Sequence, residues 1–224
     1  EYIRALIRSD SKIKPMTVKR HKAGYHDRNL YQNIASATKL REMKRNNENI
    51  NDFIPYKLED INCDIPYDIS NLDSAIISKL RLMTSEDLQN ISEVTEGIEN
   101  RILSSANMSY SFETLVENVK NKRYTTSKIR RMIISALIGF TKDIYSPMPQ
   151  YIRILGMNKV GMTILKQAKD TCKVPIITKT ADFKEQSPQF NLDVRATNIA
   201  MLCNPIPTHR IGNADLKKSP IIMK

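Results

Sequence analysis

The sequence predicts a mainly α protein with a partial α/β piece at its N-terminal end and a small βαβ-like element near its C-terminal end. Three observations carry this. Apolar residues recur at helical spacing through the middle of the 224-residue chain. Aromatic residues make up 6% and Trp is absent, so Leu, Ile, Met and Val must build the core, a mix that suits helices packed on helices. Runs that read as strands are short and lie towards the two ends.

Taken in order, residues 2–9 (YIRALIRS) read as helix, and residues 16–20 (MTVKR) have the β-branched, alternating look of a strand. A glycine-bearing loop (HKAGYHDRN) leads to a helix over 36–45. Helix, loop, strand, loop and helix make a piece of an α/β layer, too small for a complete sheet. Residues 51–70 are polar and broken by proline, as a connector is. Helical stripes follow: Leu72, Ala75, Ile76, Leu80, Met83; then Leu88, Ile91, Thr95, Ile98, Ile102. Phe112, Leu115, Val116 and Val119 form a third, and Ile129, Met132, Ile133, Ala136, Leu137 and Phe140 the longest. Caps agree, since TSED (84–87) and SFET (111–114) place hydroxyl residues before acids. Residues 151–156 and 174–179 read as strands around a helix from 158 to 169, a βαβ unit, although YIRILG equally suits a helix start. A last amphipathic helix covers 192–203, and the Pro-broken tail is expected to lie over the surface.

The formal net charge is +11, unevenly spread. Residues 1–50 hold 12 Lys/Arg against 5 Asp/Glu, whereas residues 51–100 hold 3 against 11. Residues 101–150 and 151–224 are again basic, by +5 and +7. An acidic segment between basic ones fits a polyanion-binding surface assembled from distant parts, and equally an ordinary basic protein. Cys63, Cys172 and Cys203 are widely separated, with no Cys-x-x-Cys and no histidine at ligand spacing. Reduced cysteines in a cytoplasmic protein, with no metal site, are the expectation. No apolar run reaches the roughly 18–20 residues a bilayer requires, and no signal peptide is visible. The chain opens at Glu1 directly into helical pattern, which suggests a portion of a longer protein.

Two constellations bear on chemistry. In IASATKLRE (34–42), Ser36 and Thr38 precede Lys39 and Arg41, with no acid before Glu42. A helix N-terminus carries partial positive charge and favours acids by about 0.3–1 kcal/mol each, so the cations sit at the wrong end. They make sense where free amides, helix dipole and cationic side chains converge on a phosphate. The bland reading is a surface helix with an ordinary cap. Lys19, Arg20 and Lys22 at the end of the expected strand favour the phosphate, because ligands of open α/β sheets sit at strand C-termini. The second constellation is KNKRYTTSKIRRM (120–132). Lys120, Lys122, Arg123, Lys128, Arg130 and Arg131, with Tyr124 among them and no acid, suit RNA phosphates and a stacked base. The alternative is a solvated helix face. His26 and Asp27 are adjacent and point apart, so a turn-stabilising role is favoured over catalysis, with Asp27 fixing the loop through backbone N–H groups. No catalytic residue is assigned.

VKRHKAGYHD followed by IASATKLR, then ENRI, SFETLVENVKNKRYTTSKIRRM, YIRILGMNKVG and VPIITK in that order, resembles the bacterial tRNA(Met) cytidine acetate ligase family of predicted nucleotidyltransferases. The resemblance covers most of the chain. It implies that residues 1–50 are the C-terminal part of a Rossmann-like nucleotidyltransferase domain and residues 71–224 a mainly helical tRNA-binding domain. It implies an ATP-dependent ligase that forms acetyl-adenylate and acetylates N4 of the wobble cytidine of elongator tRNA(Met). ATP, with magnesium as its usual companion, acetate and that tRNA would be its substrates. By position, Ser36, Thr38 and Arg41 match the family's phosphate-binding motif, and Arg20 and His21 its strand-end nucleotide contacts. The family's His-x-Gly-His motif is absent; His21, His26 and His209 do not have its spacing. This chain alone is therefore expected to be an inactive portion. Two other classes compete: a nucleotidyltransferase acting on a small phosphorylated metabolite, and a non-catalytic helical RNA-binding module.

Overall fold

A computed structural model gives the structure, described here for residues 1–19, 22, 24, 27–55, 67–95, 97–146, 148–184 and 187–223. The chain divides into two compact units, Glu1–Pro66 and Tyr67–Lys224.

In the first unit, α1 (Tyr2–Arg8) is followed by residues 9–19 without regular structure, so the strand expected over 16–20 does not form in its described part. Met16 and Val18 are exposed: among the described residues the β-branched pattern has no partner strand to bury it. Pairing occurs later, in a two-residue hairpin of β1 (Leu30–Tyr31) and β2 (Ile34–Ala35), antiparallel, with Tyr31 opposite Ile34. Helix α2 (Ala37–Arg45) follows β2 directly, with Ser36 as N-cap and Met43 on its buried side.

The second unit is built on five helices: α3 (Asp73–Leu82), α4 (Ser85–Gln89), α5 (Glu99–Met108), α6 (Phe112–Val119) and α7 (Thr126–Ile138). Their stripes meet in one core, where Ile76, Leu80, Leu88, Ile102, Leu115, Val116, Ile129, Met132 and Ile133 are almost fully buried. Ala75 and Thr95, assigned to the stripes from spacing, are exposed. The stripe from Leu88 to Ile102 is not one helix. Helix α4 stops at Gln89, Ile91 forms an antiparallel bridge with Thr141, and the Ser92 amide donates to the Phe140 carbonyl at 2.9 Å. Gly97 then takes a positive φ of 90° before α5 begins. Ile91, Val94 and Ile98 reach the core from this loop. Thr84 and Asp87 form a reciprocal capping box, and Ser111 forms another with Thr114 rather than with an acid. Gly139 closes α7 in the left-handed conformation, φ 72°.

Three arginines hold the ends of these helices. Arg81 donates to the carbonyls of Ala106 and Ser109 at the end of α5, at 3.1 and 3.2 Å. Arg101 spans Val119, Asn118 and Lys120 at the end of α6, at 2.8, 3.0 and 2.8 Å. Arg195 donates to Ile138 at the end of α7, at 3.0 Å. A guanidinium there satisfies orphan carbonyls and opposes the negative end of the helix dipole.

Beyond the bundle, YIRILG splits into β3 (Ile152–Arg153) and the start of β4 (Gly156–Met157). Helix α8 (Lys159–Thr171) connects to β5 (Ile176–Ile177), which pairs in parallel with β3, Ile152 opposite Ile176. Helix α9 (Pro188–Met201) packs on α7. The tail is more than a surface strap. Its α10 (Ala214–Lys217) brings Asp215 onto Arg153 in a two-pronged ion pair, both distances 2.6 Å, with Asp215 only 5% exposed. Its β6 (Ile221–Ile222) pairs in parallel with β4. No helix among the described residues is long and apolar enough to cross a membrane.

Candidate functional site

The start of α2 is built by three side chains. Ser36, buried, accepts the Lys39 amide at 3.1 Å and donates its hydroxyl proton to the Asp27 carbonyl. Asp27 in turn accepts the Asn29 amide at 2.9 Å and the Tyr31 hydroxyl at 2.7 Å. The Asn29 amide first, then the Tyr31 hydroxyl, hold the Asp27 carboxyl below the usual carboxylate range. Loop, hairpin and helix start are thus locked into one another. The turn-stabilising part expected of Asp27 is the one it plays.

This geometry sorts the candidate residues. The Ser36 hydroxyl is engaged internally on both sides, so it positions the helix start rather than facing outward. Lys39 is tied to Glu42 at 3.6 Å. Thr38 is half-buried, and Arg41 is exposed with no carboxylate partner among the described residues. Thr38 and Arg41 lie three apart, on one side of the helix, beside the Ala37 and Thr38 amides that no preceding turn can accept. The helix has no acid in its first turn. Arg20, His21 and His26 lie outside the described residues, as does Cys63. Lys19 and Lys22 are exposed, and Lys22 reaches the Gln32 side chain at 3.5 Å. Cys172 and Cys203 are free thiols, and burial pushes the Cys203 thiol up. Among the described residues no group of three His, Cys, Asp or Glu side chains converges as a metal site.

The basic segment of the second unit divides in two. Arg130 makes a two-pronged pair with Glu113, one arm at 3.0 Å, and its guanidinium lies 5.2 Å from the Phe112 ring centre. Arg131 reaches Glu93 at 3.5 Å, and Lys120 reaches Glu117 at 3.5 Å. Lys122, Arg123 and Lys128 have no carboxylate partner among the described residues. Arg123 and Lys128 flank the Tyr124 ring, 5.3 and 5.1 Å from its centre. Tyr124 is not free to stack on a base, because it packs against the core and its hydroxyl lies 2.6 Å from that of Thr95. It serves as the post that holds two cations outward. The acids that pair Arg130 and Arg131 stand in other elements, which is why a segment without acids read as uniformly free.

Residues 1–215 match the family model described as HIGH Nucleotidyl Transferase. The chain is 33% identical over 253 residues to the tRNA(Met) cytidine acetate ligase of Thermosipho africanus, an alignment covering all of this chain and 60% of that protein. It is 33% identical over 236 residues to the tRNA(Met) cytidine acetate ligase of Clostridium botulinum strain Loch Maree, again along its whole length and over 56% of the relative. The crystal structure of apo Thermotoga maritima TmcAL superimposes with a TM-score of 0.84 at 28% identity, over 99% of this chain and 58% of that one. The same protein bound with alpha-thio ATP gives 0.80 over 99% and 57%. The chain therefore spans 56–60% of the length of these curated relatives.

Proposed function

Since the chain belongs to the HIGH nucleotidyl transferase family, we propose that it is a portion of an ATP-dependent tRNA(Met) cytidine acetate ligase. The observation that carries this reading is alignment to such ligases along the entire chain at 33% identity. In this reading residues 1–50 end a Rossmann-like nucleotidyltransferase domain, and residues 71–224 handle tRNA. The whole enzyme activates acetate with ATP to acetyl-adenylate and transfers acetyl to N4 of the wobble cytidine of elongator tRNA(Met).

The residues divide the work. Arg41, with the Ala37 and Thr38 amides and the Thr38 hydroxyl, receives ATP phosphates. Negative charge then develops on the pyrophosphate leaving group against fixed positive charge, which lowers the barrier to attack by acetate. Ser36 and Asp27 keep that helix start in place. Arg20 and His21 contact the nucleotide. Magnesium, where used, arrives on ATP, since the described residues at α2 offer hydroxyl and cationic groups and no cluster of carboxylates. Lys122, Arg123 and Lys128 meet tRNA phosphates. Lys120, Arg130 and Arg131 border that surface and meet phosphates where the RNA draws them away from Glu117, Glu113 and Glu93.

The test is titration of the chain with elongator and initiator tRNA(Met) at two salt concentrations. Salt-sensitive binding that favours the elongator is expected. Lys122→Ala/Arg123→Ala should weaken binding to both and flatten the salt dependence by about two counterions. Binding no tighter than that of an unrelated basic protein would refute the tRNA role.

A further inference from the structure

Where α9 packs on α7, a cleft of about 580 Å³ opens between Ile138, Phe140 and Tyr145 on one side and Gln189, Leu192 and Asp193 on the other. Its walls combine apolar and aromatic surface with a few polar groups, the usual make-up of a site for a small planar ligand. Tyr145 is 63% exposed and makes no hydrogen bond among the described residues, so its ring face is available. Asp193 carries the specificity. One of its oxygens accepts the Tyr151 hydroxyl proton, which Tyr151 holds firmly because burial first, and Asp193 second, raise its pKa. The other oxygen has no partner among the described residues and can accept a proton from a ligand.

The cleft is connected to the free cations by α7 itself. Lys128, Arg131 and Ile138 recur at i, i+3 and i+10 along one side of the helix, with Arg131 exposed but paired to Glu93 and Ser135 between them buried, and Ile138 lines the cleft about 15 Å from Lys128. A single strand with phosphates at Lys128 would lie along α7 towards the cleft. We infer that this cleft receives one unstacked nucleobase bearing an exocyclic amine, with the amine donating to Asp193 and the base stacked on Tyr145. Splayed bases are read in this way, on an aromatic ring and by their Watson–Crick edge, and a carboxylate accepts from the cytosine amine where uracil presents a carbonyl. The inference rests on RNA binding by the second unit and adds a base-reading site to it.

The experiment compares labelled oligocytidylate and oligouridylate of equal length by fluorescence anisotropy on the whole 224-residue chain. Wild type should prefer oligocytidylate by about ten-fold. Tyr145→Ala should weaken oligocytidylate by at least about five-fold. Asp193→Asn still accepts from Tyr151 but turns an NH₂ towards the cleft, so the preference should reverse towards oligouridylate. Fold disturbance alone would not produce such a reversal. Equal binding of the two oligomers by wild type, or an Asp193→Asn variant with the wild-type preference, overturns the inference. If that happens while Lys122→Ala/Arg123→Ala still weakens tRNA binding, the cleft fails and the tRNA reading stands.

Discussion

Replacing Arg153 by Met should destabilise the second unit through a carboxylate that does not move. Asp215 is 5% exposed, held by α10 and by the Thr180 hydroxyl, which donates to the Asp215 carbonyl. Both guanidinium arms reach it at 2.6 Å, and the Arg153 side chain is itself three-quarters buried. Met keeps most of the apolar stem but removes the charge, leaving a buried carboxylate that must either stay unpaired or take up a proton. Breaking one half of a buried pair costs about 3–5 kcal/mol, and the partial exposure of Arg153 places this site near the lower end, about 3 kcal/mol. In a unit of this size that lowers Tm by roughly 6–12 °C. Urea unfolding followed by far-UV circular dichroism measures it, with Arg153→Met/Asp215→Asn as control. The double variant removes the stranded charge and should recover at least half of the loss. A single variant within about 0.5 kcal/mol of wild type, or a double variant less stable than the single, would refute the argument.

Arg101→Ala frees three carbonyls at the end of α6, which water can partly rehydrate, so a loss of about 1–2 kcal/mol is expected in denaturant unfolding. Arg101→Lys should recover less than half of it, because an ammonium cannot span three divergent acceptors. Asp27 gives a pH signature. Its folded pKa is depressed, so its contribution is present above the unfolded carboxylate pKa and is lost as pH falls through the lower folded value. The Asn29 amide resonance should therefore titrate below the range of a free aspartate, and Asp27→Asn should abolish that step; titration at the ordinary position would refute the Asp27 bonds.

The bundle was legible in the sequence because burial there follows helical period. Phe112, Leu115, Val116 and Val119 are all buried, and so are Ile129, Met132, Ile133 and Ala136. The same criterion misled between Leu88 and Ile102. Ile91 and Ile98 keep helical spacing by coincidence while the chain turns through a bridge to Thr141. The strand assigned to MTVKR does not form over 16–19 for a related reason, since β propensity describes fit to a neighbouring strand and Met16 and Val18 have none among the described residues. At α2 the cap was readable, since Ser36 stands immediately before the helix. That its hydroxyl is already committed to Asp27 was not, because the bond joins residues nine apart across a hairpin that lacks strand patterning. The pairing of Arg130 with Glu113 is equally invisible to a local window.

The parallel pairing of β4 with β6 has a consequence for how the chain acquires its structure. The bundle core is built up to α7, and from further on Ile199, Leu202 and Cys203 at the end of α9 pack against it. Gly156, by contrast, waits for Ile221. At 5–20 residues per second of synthesis, roughly 80 residues separate those events, an interval on the order of 4–16 s. Helix α8 ends at Thr171, so it is complete for only about the last 50 of those residues, on the order of 2.5–10 s. Through that time it presents Val160 and Ile164, which stay exposed even in the finished fold, while β4 still lacks β6. Non-local parallel pairing is slow to form. The nascent chain therefore passes through a state with a settled bundle and an open, sticky last layer, and chaperone binding during translation should concentrate on residues 150–180.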